Sequence, residues 1–178
     1  MLGDLEESVK AKSITSYISQ EEAVDVITPA LLDTFLDKSI DDICPNGFTN
    51  QNDNHCAHFV SHVMGLQFGV TCRMMGKAAQ AGANLRVQEI FPRCSTVGDW
   101  AMRPIVLVNC LVFITRASNV NLRGKTMTNV PRKHIGIYHT GLIWHYSNAQ
   151  DKVIKQTPEQ FTHHYPAPDN AMFFGTIP

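Results

Sequence analysis

Cys56 stands where a loop gives way to a helical apolar stripe, and that position could do chemistry. A cysteine in the first turn of a helix faces unpaired backbone amides, whose partial positive charge favours the thiolate. A thiolate attacks carbonyl carbon, and the same amides can then hold the oxyanion of a tetrahedral intermediate. Such a nucleophile needs a base and a group that fixes the base's ring. His134 and His145, on consecutive predicted strands, suit the two roles; Asn148 and His139 remain open as alternatives for the third group. Along the first strand His134, Gly136 and Tyr138 share one face and Ile135 and Ile137 the other, so the histidine can line a cleft while the isoleucines fill a core.

The elements that must position these residues can be read from spacing. Cys56, Phe59, Val60 and Val63 fall at i, i+3, i+4 and i+7, predicting a helix from about His55 to Met64, capped by Asp53 or Asn54 and ended by Gly65. Pro45, Asn46, Gly47, Thr49, Asn50, Asn52 and Asp53 make the preceding stretch a loop. Upstream, from Leu5 to about Lys38, two helices are expected, one starting at Ser19 or Gln20 and one at Thr28-Pro29. A further helix is expected between Arg73 and Ala83, closed by Gly82. Strands follow: Ile105–Val108, Leu111–Thr115, then His134–Tyr138 and Leu142–Tyr146 as a hairpin turning at His139-Thr140-Gly141. Val153-Ile154 and Met172–Phe174 add short strands, and Thr157-Pro158-Glu159 opens a short helix reaching about His164. Helices first and antiparallel strands afterwards define an α+β class.

Length supports one domain: 178 residues, with residues 1–45 as a helical extension and 46–178 as the core that carries the chemistry. Hydrophobic residues at 44% and charged residues at 17% give a globular balance, and no run is long and apolar enough for a membrane span. A net charge of -1 provides no basic field for a phosphate backbone, so nucleic acid is not an expected partner. The acidic start, with Asp4, Glu6 and Glu7, lacks the pattern of a secretory signal, so a protein made in the cytoplasm and exported by a non-classical route is expected. Five cysteines with no CxxC pair fit neither a disulfide framework nor a zinc ribbon, and all but Cys56 read as buried free thiols. His58 and His62 have the i, i+4 spacing that binds zinc from one helix face, but no Glu follows the first and no third ligand is evident. With His55 they read as solvated histidines beside a cleft, His163 and His164 as surface residues, and Trp100 and Trp144 as packing residues.

The run Asp53-Asn54-His55-Cys56-Ala57-His58-Phe59-Val60, with Leu111-Val112-Phe113, His134-Ile135-Gly136-Ile137-Tyr138 and Ile143-Trp144-His145, resembles the NlpC-type peptidoglycan endopeptidases and neighbouring amidases, including type VI secretion amidase effectors. The resemblance covers about Asn46 to Val153 and is strongest over the hairpin. It departs from the family where Asn-His-Cys-Ala-His replaces Asp-Cys-Ser-Gly and Asn109-Cys110 replaces a Gly-Asp pair. It implies a papain-like core with Cys56 as nucleophile, His134 as base and His145 as the orienting residue. It also implies a thiol hydrolase that needs no cofactor or metal, acting on the peptide part of bacterial cell wall. A secreted effector or phage-type lysin of this kind would have an immunity or adaptor protein as partner. The same catalytic set could serve a protease, deamidase or acyltransferase with another substrate, and a degenerate copy could serve as a binding module. An inserted stretch between Gly65 and Trp100 is expected to shape the cleft.

Overall fold

A computed structural model describes residues 27–76, 80–165 and 167–178. Helix α1 (Pro29–Asp33) begins as the sequence predicts, with the Thr28 hydroxyl accepting from the Leu31 amide at 3.1 Å and proline in the first turn. The helix expected around Ile14 and Ile18 lies outside the described residues. Helix α2 (Cys56–Met64) buries Cys56, Ala57, Phe59 and Val60 and stops at Gly65, whose φ of +65° is a left-handed conformation that glycine takes without penalty. The predicted stripe and terminus are both present.

Two one-turn helices follow, α3 (Cys72–Met75) and α4 (Val87–Ile90). The helix expected over Arg73–Ala83 is shorter than its composition suggested. The Gly76 amide closes α3 onto the Cys72 carbonyl, and the Cys72 amide donates to the Ala83 carbonyl and the Asn84 amide to the Leu66 carbonyl. Gly82 packs against Thr71 and Arg73 instead of capping a helix.

The strands are β1 (Val97–Asp99), β2 (Asn109–Arg116), β3 (Val120–Asn121), β4 (Thr126–Met127), β5 (His134–His139), β6 (Leu142–Ser147), β7 (Lys152–Gln156) and β8 (Asn170–Gly175). Six of them form one antiparallel sheet in the order β1-β8-β2-β5-β6-β7, with β3 and β4 as a separate pair. The β5–β6 hairpin turns at Thr140-Gly141, both at positive φ, as a tight hairpin requires. Helix α5 (Pro158–Thr162) starts with a capping box formed by Thr157 and Gln160. The molecule is thus mixed α+β around an antiparallel sheet. The strand expected at Ile105–Val108 is absent. Pro104 opens a turn there in which Leu107 donates to Pro104 and Val108 to Val106, so these amides are spent locally, and Ile105 and Val106 are exposed despite their β-branched side chains.

Each face of the sheet carries its own apolar cluster, as strand alternation demands. Leu111, Phe113, Ile135, Ile137, Trp144 and Tyr146 pack with Phe59 and Val60 of α2, and Leu32 and Ile40 join them from the N-terminal segment. Val112, Ile114, Tyr138 and Ile143 pack on the other side with Phe161 of α5. Trp144 and Tyr146 fasten the N-terminal segment to the sheet. The Trp144 indole N–H donates to Asp33 Oδ1 at 2.9 Å, while the Tyr146 hydroxyl accepts from the Ile40 amide at 3.0 Å and donates to Asp151 at 2.7 Å. Tyr146→Phe would leave a buried amide without its acceptor. A loss of about 1–3 kcal/mol is expected, and an unchanged urea midpoint would contradict it. Among the described residues no helix is long and apolar enough to cross a membrane.

Candidate active site

The N-terminus of α2 is held by asparagines. Asn54 Oδ1 accepts from the Cys56 amide at 3.0 Å, and Asn148 Oδ1 accepts from the His55 amide at 3.2 Å while its own amide donates to the Asp53 carbonyl at 3.3 Å. His55, not Asp53 or Asn54, occupies the N-cap position, and it makes no side-chain cap bond. The Cys56 amide, a natural oxyanion donor, is therefore engaged by Asn54 at rest.

The Cys56 side chain is buried at 1% exposure, and its Sγ lies 4.0 Å from the Lys133 carbonyl. Backbone amides of Ile135, Ala57 and Cys56 itself point toward the sulfur and favour thiolate, but burial is the larger influence and pushes the thiol pKa up to about 12. The helix terminus thus does not produce a free-standing thiolate; the resting group is a protonated thiol. Lys133 and Ile135 flank His134 in sequence, so the sulfur is bracketed by the two residues on either side of the expected base.

His134 opens β5 and is also buried. Its Nε2 lies 2.8 Å from His145 Nδ1, and His145 Nε2 lies 2.8 Å from Gln156 Oε1. Protons can be assigned along this chain. An amide oxygen only accepts, so His145 Nε2 carries a proton and its Nδ1 does not. His134 Nε2 must then donate, which leaves His134 Nδ1 as a bare lone pair, and that atom is buried without a hydrogen-bond partner. Burial first, and the neighbouring His145 and His164 second, hold His134 well below its usual pKa, so the ring is neutral and able to accept a proton. The thiol and this nitrogen make no hydrogen bond at rest.

Of the candidates for the third group, His145 is the one on His134. Asn148 is committed to the helix terminus, and His139 bonds Thr140 at the far end of β5. Gln156 was not foreseen. It is the diagonal neighbour of His145, which pairs with Ile154, and it shares that residue's face of the sheet. Gly136 makes the relay possible. A Cβ there would meet Ile143 Cγ2 at 2.6 Å, the Trp144 carbonyl at 3.1 Å and His145 Cβ at 3.2 Å. Gly136→Ala should push His145 off His134, and for the hydrolase proposed below a loss of about tenfold or more in turnover with a displaced pH profile is expected. Normal kinetics with a merely lowered stability would remove Gly136 from any positioning role.

Several histidines expected at the surface are not there. His164 is half-buried and stacks on His134 with ring centroids 3.7 Å apart and planes 15° from parallel, because α5 packs its end onto that face of the sheet; His163 is exposed as expected. His55 and His58 are fully buried and His62 partly so, since the loop before α2 and the segment after it fold over them. One nitrogen from each of His134, His145 and His164 lies within 4.8 Å of the others, a set able to approach a metal ion, but both His145 nitrogens are already spent on hydrogen bonds.

Two clefts adjoin the site. One, of about 200 Å³, is lined by Asn54 and Cys56, by Leu85–Gln88 on one wall and by Asn129–Lys133 on the other. The first wall belongs to the stretch expected to be an insertion. The other cleft, of about 380 Å³, is lined by Asn54, His145, Gln156, His164 and Tyr165 among others. Asn54 borders both, and the Tyr165 hydroxyl donates at 3.3 Å to the same Lys133 carbonyl that the thiol faces. No protein-family model, curated protein or solved structure matches the chain.

Proposed function

We propose that the chain is a thiol amidase or endopeptidase with a papain-like, NlpC-type core, cleaving amide bonds in the peptide part of bacterial peptidoglycan through an acyl-enzyme. The observation that carries the reading is the bare, partnerless Nδ1 of His134, oriented through His145 and Gln156, together with a cysteine at a helix N-terminus whose sulfur faces the backbone of Lys133 and Ile135 on either side of that histidine. A buried lone pair without a donor is costly to maintain, and a proton-accepting role accounts for it. A cysteine helix packed on an antiparallel sheet whose histidine strand is its neighbour supports the papain-like core. Arg86, Arg132 and Lys133 line the Cys56 cleft and suit a peptide with free carboxylates, as wall stem peptides are.

In this mechanism His134 Nδ1 takes the thiol proton as Cys56 Sγ attacks the carbonyl carbon. The oxyanion forms at the α2 terminus, where Asn54 must release the Cys56 amide or use its own side-chain amide as donor. The proton passes from His134 to the leaving nitrogen, the C–N bond breaks, and water delivered with His134 as base hydrolyses the thioester. His145 keeps the ring oriented and Gln156 fixes its tautomer.

Purified wall fragments incubated with the full chain should yield products that together exceed the substrate by the mass of one water, with a new amine and a new carboxyl. Intact fragments, alongside cleavage or deamidation of a protein substrate, would assign the same residues to a different target. Intact fragments with no turnover of any amide would leave a binding module.

A further inference from the structure

The face of α2 turned away from the sheet carries a second constellation. His58 and His62, one turn apart, meet Cys44 from the N-terminal segment and Cys72 from the start of α3, and one ligand atom from each of the four lies within 4.8 Å of all the others. We propose that these residues form a zinc site of the Cys2His2 type that fastens α2 to the two segments folded over it. It stands apart from the proposed catalysis and does not depend on it.

The distances suit a tetrahedral ion. Bond lengths of about 2.0–2.1 Å to nitrogen and 2.3 Å to sulfur give tetrahedral edges of about 3.3 Å between nitrogens and 3.6 Å between nitrogen and sulfur. His58 Nε2 and His62 Nε2 are 3.1 Å apart, and His62 Nε2 is 3.8 Å from Cys72 Sγ. The surroundings prepare each ligand. His55 Nε2 lies 2.9 Å from the Asn50 carbonyl, which only accepts, so His55 Nδ1 is bare. His58 Nδ1, 3.2 Å away, must donate to it, and this leaves His58 Nε2 as a lone pair aimed into the cluster. A second-shell bond that fixes the tautomer of a ligating histidine is a regular part of metal sites.

The sulfurs are surrounded by donors. Cys72 Sγ accepts from the Ala83 amide at 3.2 Å and from the Asn46 side chain at 3.4 Å, and Cys44 is faced by the amides of Asn46 and Phe48. Gly47, at φ +69°, lets the chain turn so that both amides reach back to Cys44. Neutral thiols are weak acceptors and would not repay four N–H groups; metal-bound thiolates would. Four protein ligands leave no open position, so the site is structural.

The test is metal content of the full chain purified without chelator. About one zinc per chain is expected, falling to less than about a tenth in His62→Asn and in Cys72→Ser and staying near one in Cys56→Ala and His134→Ala. Should those variants fold poorly, cobalt exchanged into the wild-type chain reads the same site: tetrahedral d–d bands with a thiolate charge-transfer band are expected. Zinc-free wild type that takes up no cobalt would overturn the proposal. So would an intact mass showing a Cys44–Cys72 disulfide, cobalt bound without the charge-transfer band, or metal lost in His134→Ala but retained in His62→Asn.

Discussion

Cys56→Ala and His134→Ala are each expected to lower amide hydrolysis by at least about a thousandfold, and the double variant is expected to be no worse than either alone. Non-additivity follows from the resting state. Burial holds the thiol protonated and the imidazole neutral, so neither is a nucleophile or an acid until a proton passes between them as the sulfur attacks. Removing either partner ends that transfer, and nothing remains for the second substitution to remove. Because the proton moves during attack, wild-type turnover should show a normal solvent deuterium isotope effect. Iodoacetamide should label Cys56 slowly in the absence of substrate, as expected for a buried protonated thiol rather than a preformed ion pair. Single-variant rates in series with wall fragments give the readout. A Cys56→Ala enzyme with wild-type turnover, or single losses that multiply in the double variant, would end the mechanism.

Local spacing carried the sequence reading where a residue's surroundings are set within a few positions. The α2 stripe and its Gly65 stop, the Thr28-Pro29 start, the His134–Tyr138 hairpin and the Thr157 cap all depend on neighbours one to four residues away or on simple alternation. The misreadings have the opposite character. Ile105-Val106 had the apolar, β-branched look of a strand, yet Pro104 begins a turn in which the Leu107 and Val108 amides are spent on the Pro104 and Val106 carbonyls. Gln156 is ordinary polar residue by sequence. It becomes part of the relay only through the pairing of His145 with Ile154, a register the sequence alone does not fix. His58 and His62 announced a metal-like spacing, but the cysteines that meet them come from segments on either side of α2, and only the folded chain brings the four together. The pKa of Cys56 departs from the expected lowering for a related reason. The helix terminus is a local feature that favours thiolate, whereas burial, which outweighs it, belongs to the tertiary structure.

Acid is expected to unfold the protein before it titrates the proposed base, His134. His134 and His145 are buried and neutral; burial is the first cause for both, and it holds His134 well below the usual 6.5 and brings His145 to about 4. In the unfolded chain both would titrate near 6.5. Their folded pKa values are lowered, so above 6.5 neither state binds the extra protons and no penalty arises. As pH falls below 6.5 the unfolded chain takes up protons that these two rings refuse in the folded chain, a loss of up to about 2.7 kcal/mol per pH unit, and His58, His62 and His164, whose pKa values burial also lowers, add to it. That slope persists to about pH 4, where His145 begins to protonate in place. Between pH 6.5 and 4.5 His145 alone accounts for a loss of about 2 kcal/mol, and His134 adds to it, a sizeable part of the whole stability of many domains. Urea midpoints measured between pH 7.5 and 4.5 should fall steeply over that window, and His145→Gln, with one titrating ring fewer, should fall less steeply. The acid limb of the activity profile should then coincide with the loss of folded protein. A stability flat from pH 7 to 5 would mean that the two rings are not held neutral, and the proton assignment that leaves His134 Nδ1 bare would fall with it.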